Sequence, residues 1–180
     1  MSMTAFFLFT ALLFQAPAAK PLIDNARVTV WEDRAPASSF AHGTVAVSSS
    51  GAVRYFPKNS RAITEKLIVG LKNANVAPLR NASGLPLALP RPGAEKVLDN
   101  MYVAVWNYRW TPGVPTPMHF HDKDVVVMFL EDGDLKSTTP SGEVTVNPYK
   151  PGTIRFNARD RVHTEELVRG TQRAIIIELK

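Results

Sequence analysis

Apolar residues in this chain recur with a period of two, not 3.6, and that restricts it to sheets. The segments Arg27–Trp31, Gly43–Val47 and Tyr102–Trp106 are short and rich in β-branched and aromatic residues, as are Asp124–Leu130 and Arg173–Leu179. Residues 125–130 and 174–177 are apolar on both parities, the pattern of strands covered on both faces. Turn signals separate the runs at Glu131-Asp132-Gly133-Asp134, Pro140-Ser141-Gly142 and Lys150-Pro151-Gly152. A helix of a turn or two is expected only over Gly93–Leu98. Short strands punctuated in this way predict an all-β sandwich or barrel.

The runs also repeat. Asn25–Trp31 matches Asn100–Trp106, Gly51–Phe56 matches Gly152–Asn157, and Leu67–Lys72 matches Ile175–Lys180, in the same order. This reads as a degenerate half over residues 19–76, a Pro/Leu/Gly-rich connection over 77–98, and a complete barrel over 99–180. Aligning the copies leaves His42 as the one histidine of the first, so the N-terminal half is expected to be structural, covering an edge or face of the barrel.

With 180 residues the chain can bury a core without covalent or metal staples. It contains no cysteine, which excludes disulfides, thiolate ligands and a cysteine nucleophile. The net charge is +5, but the basic residues are dispersed with no Lys/Arg run, so nucleic acid is not expected as a partner and an anionic small molecule stays open. Residues 5–14 form an apolar run broken by Thr10 alone, followed by Ala16 and Ala18 in an A-x-A pattern. At about 1.5 Å per residue the run is too short for a bilayer. Residues 1–18 are expected to be a signal peptide and the protein periplasmic or secreted. The lack of Lys or Arg before the run leaves a retained anchor or a buried N-terminal segment as the alternative.

The chemistry concentrates in Gly113–His121. Residues two apart on a strand face the same way, so His119 and His121 present two imidazoles side by side. His163 follows the run Thr153–Phe156, on a strand that an antiparallel barrel can place beside them. Three imidazoles with open positions suit a catalytic site for Zn, Fe, Ni or Cu more than a closed structural one.

Gly113, His119-Phe120-His121 and Gly133 resemble the first motif of the cupin superfamily, and Lys150-Pro151-Gly152 with Asp160–His163 resembles the second more loosely. The resemblance spans roughly residues 99–180. It implies a cupin-type double-stranded β-helix (a jelly-roll barrel), with the shortened N-terminal repeat before it, and a divalent transition metal (Fe, Zn, Ni, Mn or Cu). Two positions depart from the family pattern: Val126 stands where a ligating Glu is usual, and Leu167 where Asn is usual. The site then resembles three-histidine cupin dioxygenases, unless Asp124 supplies the carboxylate.

Other residues bear on a substrate. One of Arg155, Arg159 and Arg161 can clamp a carboxylate. Trp110, with Trp106 and Tyr108 at alternate positions, and Met128 are candidates for the pocket wall, and Glu165 shares the parity of His163. The leading expectation is an exported metal-binding cupin with oxygenase-type chemistry on a small organic substrate. A non-catalytic barrel binding a small ligand or partner is the alternative, and a metal-free isomerase or epimerase is a third reading that the His-x-His pair disfavours. A homodimer is expected unless the first half covers the doubly apolar strands.

Overall fold

The computed structural model describes residues 20–37, 40–58, 63–73 and 76–180; the expected signal peptide lies outside them. Among the described residues the regular elements are strands, and no helix is long and apolar enough to cross a membrane. The N-terminal strands are β1 (Ile23–Asp24), β2 (Val28–Glu32), β3 (Thr44–Val47), β4 (Val53–Phe56) and β5 (Leu67–Leu71). They form one sheet in the order β1-β2-β5-β3-β4. Then follow β6 (Ala94–Asp99), β7 (Val103–Arg109), β8 (His119–His121), β9 (Val125–Phe129) and β10 (Gly133–Thr138). The last are β11 (Val144–Tyr149), β12 (Ile154–Asn157), β13 (Arg161–Gly170) and β14 (Arg173–Leu179).

These nine strands build a two-sheet barrel. One sheet has the order β12-β9-β14-β7-β6 and the other β11-β10-β13-β8. All the ladders within them are antiparallel. The chain crosses between the two sheets at each step from β7 to β10 and from β11 to β14, as in a jelly roll, while β6–β7 and β10–β11 are neighbours within one sheet. The all-β class expected from the strand period is the one found, and the barrel is the double-stranded β-helix that the resemblance implies.

The expected helical turn over Gly93–Leu98 is instead the edge strand β6, which pairs with β7 in the larger barrel sheet. Glu, Lys and Leu favour a helix in isolation, but here the segment pairs with β7. A bulge between Lys96 and Leu98 breaks the period of two, which hid the strand from the pattern.

The N-terminal sheet has the strand order of the larger barrel sheet, with β1, β2, β5, β3 and β4 standing where β6, β7, β14, β9 and β12 stand. Register agrees as well: Val28 pairs with Leu71 as Val103 pairs with Leu179, and Val45 with Tyr55 as Val126 with Phe156. Small polar contacts are the same too. The Asn25 side chain accepts from the backbone N–H of Arg27 and Val28 at 2.8 and 3.0 Å, and Asn100 accepts from Tyr102 and Val103 at 2.8 and 3.0 Å. Lys72 reaches Asp24 and the Asn25 carbonyl, as Lys180 reaches Asp99 and the Asn100 carbonyl. Counterparts of β8, β10, β11 and β13, the sheet that carries His119, His121 and His163, do not occur among the described N-terminal residues.

The two like sheets pack face to face. Val28, Val30, Val45, Val69 and Leu71 meet Val103, Val105, Val126, Ile177 and Leu179 in one buried cluster. This explains the doubly apolar strands: one face of β9 and β14 lines the barrel interior, and the other is covered by the N-terminal sheet. The barrel interior holds a second cluster around Trp106, Trp110, Val127, Phe129 and Ile176.

Candidate metal centre

The segment before β8 runs along β13 and aims the first two histidines. Gly113 turns with φ 69°, a conformation that favours glycine. Its N–H donates to the Leu167 carbonyl at 3.0 Å, and the Thr116 N–H donates to the Glu165 carbonyl at 2.8 Å. The Thr116 hydroxyl oxygen accepts the Glu165 N–H at 2.8 Å. On the other side, residues 85–88 bind β8: the Phe120 N–H donates to Pro86 and its carbonyl accepts from Ala88, both at 2.9 Å. β8 is thus held on both edges.

In the β13–β8 ladder His163 lies directly across from His119, and Arg161 across from His121. Residues opposed in a ladder share a face, so the period of two along each strand brings all four side chains, with Glu165, to the barrel interior. The ligand atoms of His119, His121 and His163 all lie within 4.8 Å of one another. His119 and His163 are buried and His121 is half-buried. The Nε2 atoms of His121 and His163 are 3.0 Å apart.

The donor set fits a metal ion. Nδ1–H of His119 donates to the Pro117 carbonyl at 2.9 Å, which makes Nε2 the lone-pair nitrogen. That Nε2 is buried and has no hydrogen-bond partner among the described residues. Nδ1 of His163 is 3.0 Å from the Ser137 hydroxyl, the kind of outer contact that orients a ligating imidazole. All three rings resist protonation. Burial pushes His163 down to about 4, helped by His119, Arg161 and Arg91 against the opposing pull of Glu165. Burial likewise pushes His119 down, and pushes His121 down furthest, with Arg161 and the two other imidazoles adding to it. Neutral imidazole is the form that binds a metal. The cluster is therefore one that can hold an ion; nothing in it selects the element.

The cluster opens on a cavity of about 210 Å³ inside the barrel. Apolar side chains such as Trp110, Val127 and Phe129 form part of its wall, and Ser137, Thr145, Asn147 and Asn157 a polar part. Three charged side chains reach it: Arg91, Arg161 and Glu165. Arg91 is 3.1 Å from Glu165 and lies over the Tyr108 ring at 3.9 Å. Burial is the strongest single influence on Glu165 and raises its carboxyl, but Arg91 and the facing His163 and His119 outweigh it and hold the group low. Burial draws the Arg161 guanidinium down, with Glu165 and Tyr149 opposing.

Several sequence expectations are relocated. Asp124 does not join the histidines: its carboxylate lies 3.5 Å from Arg27 Nε and accepts the Arg159 N–H at 2.9 Å, at the join between the N-terminal sheet and the barrel. Met128 lies on the sandwich face of β9, packed against the N-terminal sheet, and does not line the cavity. Val126 also faces the sandwich, while the inward neighbour Val125 lines the cavity; a carboxylate at 126 would point away from the histidines. Arg155 is exposed and outside the cavity lining, and Arg159 is tied by Nη1 to the Ala77 carbonyl at 2.7 Å. Arg161 and Trp110 do line the cavity. Arg91 was missed because it sits in the proline-rich connection, where no period marks a facing direction.

No family model matches the sequence. The β-alanine degradation protein BauB of Pseudomonas aeruginosa is 41% identical over 61 residues, which are 34% of this chain. The chain spans 60% of that relative's length. Among solved structures, a cupin domain from Bordetella pertussis is 28% identical with a TM-score of 0.45, covering 52% of this chain and 99% of its own. An RmlC-like cupin from Methanocaldococcus jannaschii is 14% identical with a TM-score of 0.41, covering 58% and 89%. A cupin 2 barrel protein from Leptotrichia buccalis is 12% identical with a TM-score of 0.44, covering 93% of each chain. The two-sheet antiparallel barrel that gathers His119, His121 and His163 is the fold that the motif spacing of Gly113, His119, His121 and Gly133 implies, and the solved structures this chain is similar to include cupin domains.

Proposed function

We propose that this protein is an exported metal-binding cupin that carries out oxygenase-type chemistry on a small organic substrate. The observation that carries the reading is the convergence of three neutral imidazoles, one with an orphaned buried Nε2, at a cavity that two of them, His121 and His163, line. A divalent transition metal held by Nε2 of His119, His121 and His163 would supply Lewis-acid or redox chemistry at its open positions. Pro117 and Ser137 hold two of the rings in the ligating orientation. Trp110, Val127 and Phe129 keep bulk water from the substrate, and Arg161 and Glu165 supply fixed charge beside it. The name of the Pseudomonas relative, a β-alanine degradation protein, supports a small organic substrate.

Two further readings attach to this proposal. Residues 1–18 direct export, which N-terminal sequencing of the mature protein from a periplasmic fraction tests. The matched strand order and register of the two like sheets support an internal duplication whose first copy has lost its ligand-bearing sheet. The wall that would favour a homodimer is covered within the chain.

Metal analysis of the purified protein, followed by oxygen-uptake assays with small organic acids and amines, tests the function. Stoichiometric Fe, Zn, Ni, Mn or Cu, lost on changing His119 and His121 to Ala, is expected. A protein that binds no transition metal would instead be the non-catalytic ligand-binding barrel.

A further inference from the structure

Among the described residues, Arg161 is the charged side chain of the cavity lining that forms no ion pair. Arg91 is neutralised by Glu165 and its guanidinium plane is occupied by Tyr108. Arg161 donates from Nε to the Ala158 carbonyl at 2.9 Å and makes no ion pair among the described residues, yet it lines the cavity on the same face as the imidazoles. Among the lining side chains two arginines stand against one glutamate. A partly desolvated cation of this kind is costly unless an anion meets it.

Resting on the reading of this cavity as the ligand site, we propose that it takes a small organic monocarboxylate, whose carboxylate is held by the guanidinium fork of Arg161 while the rest of the molecule extends toward the three histidines. The planar fork matches a carboxylate with two parallel hydrogen bonds. The remaining polar lining, Ser137, Thr145, Asn147 and Asn157, is neutral and adds no second anion site. The cavity of about 210 Å³ confines the ligand to a small molecule.

The test is an NMR titration of the full-length protein, metal-free after chelator dialysis and again loaded with Ni(II). Propanoate, its neutral isostere propanamide and inorganic phosphate are compared, following the Trp110 Nε1–H and Arg161 Nε–H signals. Propanoate is expected to bind at least about tenfold more tightly than propanamide in both forms, the worth of roughly one charge-assisted hydrogen bond. Arg161→Gln should abolish that preference with bound nickel unchanged, and Arg161→Lys should retain part of it. Equal binding of acid and amide, a preference that survives in Arg161→Gln, or binding of phosphate without propanoate would each overturn the assignment. If Arg161→Gln does not fold, the acid–amide comparison in the unaltered protein decides. A protein that holds no metal yet prefers propanoate through Arg161 would sink the metal reading and leave this one standing.

Discussion

His121 and His163 present their Nε2 atoms to each other at 3.0 Å across 42 residues of chain. The contact forms because β8 and β13 are neighbours in the smaller barrel sheet, and it gathers two of the three imidazoles that converge beside the cavity. Changing either residue to Ala is expected to lower metal affinity by more than about 100-fold, the upper end of what loss of an outer partner alone costs. Ser137→Ala, which removes only the contact to His163 Nδ1, should cost about 10-fold. Competition with a chromophoric chelator measures both.

The pH behaviour of the metal-free protein follows from the buried rings. His163 titrates near 4 in the folded state against 6.5 in the unfolded chain, and His119 and His121 are also pushed down. The unfolded chain thus takes up protons first as the pH falls. Stability is full above about pH 6.5 and is lost as the pH drops toward 4. Thermal melts at pH 7 and pH 5 should show the loss, and replacing His163 by Asn should reduce it. Unchanged melting between those values would contradict the buried, neutral site.

Asp124→Ala should separate structure from metal binding. Arg27 is buried and its Nε and Nη1 have no hydrogen-bond partner among the described residues, so removing the facing carboxylate strands a buried charge. A loss of about 3–5 kcal/mol is expected in denaturant unfolding. Bound metal per folded chain should stay the same; a fall in metal content would restore Asp124 as a ligand.

Met128→Ala opens a cavity in the sandwich between the N-terminal sheet and the barrel wall. Its cost should be about 2–5 kcal/mol. Ligand and metal titrations of the folded variant should match those of the unaltered protein, because Met128 faces away from the site.

Asn25→Ala and Asn100→Ala test the likeness of the two sheets. Each asparagine accepts two backbone N–H groups at the entry to a corresponding strand. Each change should cost about 1–3 kcal/mol, the penalty for stranding such groups. The two losses should be similar in urea unfolding; a loss at Asn100 with none at Asn25 would show that the first turn is not maintained by this contact.

Legibility varied with the range of the interaction involved. Strand period and glycine turns are local properties, so β2, β7, β9 and β14 could be read directly. The helix former content of Ala94–Asp99 is local too, and it misled, because pairing with β7 outweighs intrinsic propensity. His119 and His121 share a face by the pleat alone, and the motif spacing pointed to His163 as their partner. Parity also told that Val126 and Met128 share a face, but not that this face is the sandwich.

What the sequence determined by itself is therefore the all-β class, the strands β2, β3, β7, β9 and β14 with their alternation, and the three histidines. What only the tertiary structure decided is which side of each doubly apolar strand looks inward, and which charged residues meet there. Both faces of β9 are apolar, so hydrophobicity cannot choose between them; the choice falls to the N-terminal sheet, which covers one. Asp124 goes to Arg27, and Arg91 enters the cavity from an aperiodic connection, because electrostatic partners are chosen by distance in space, which local sequence does not encode.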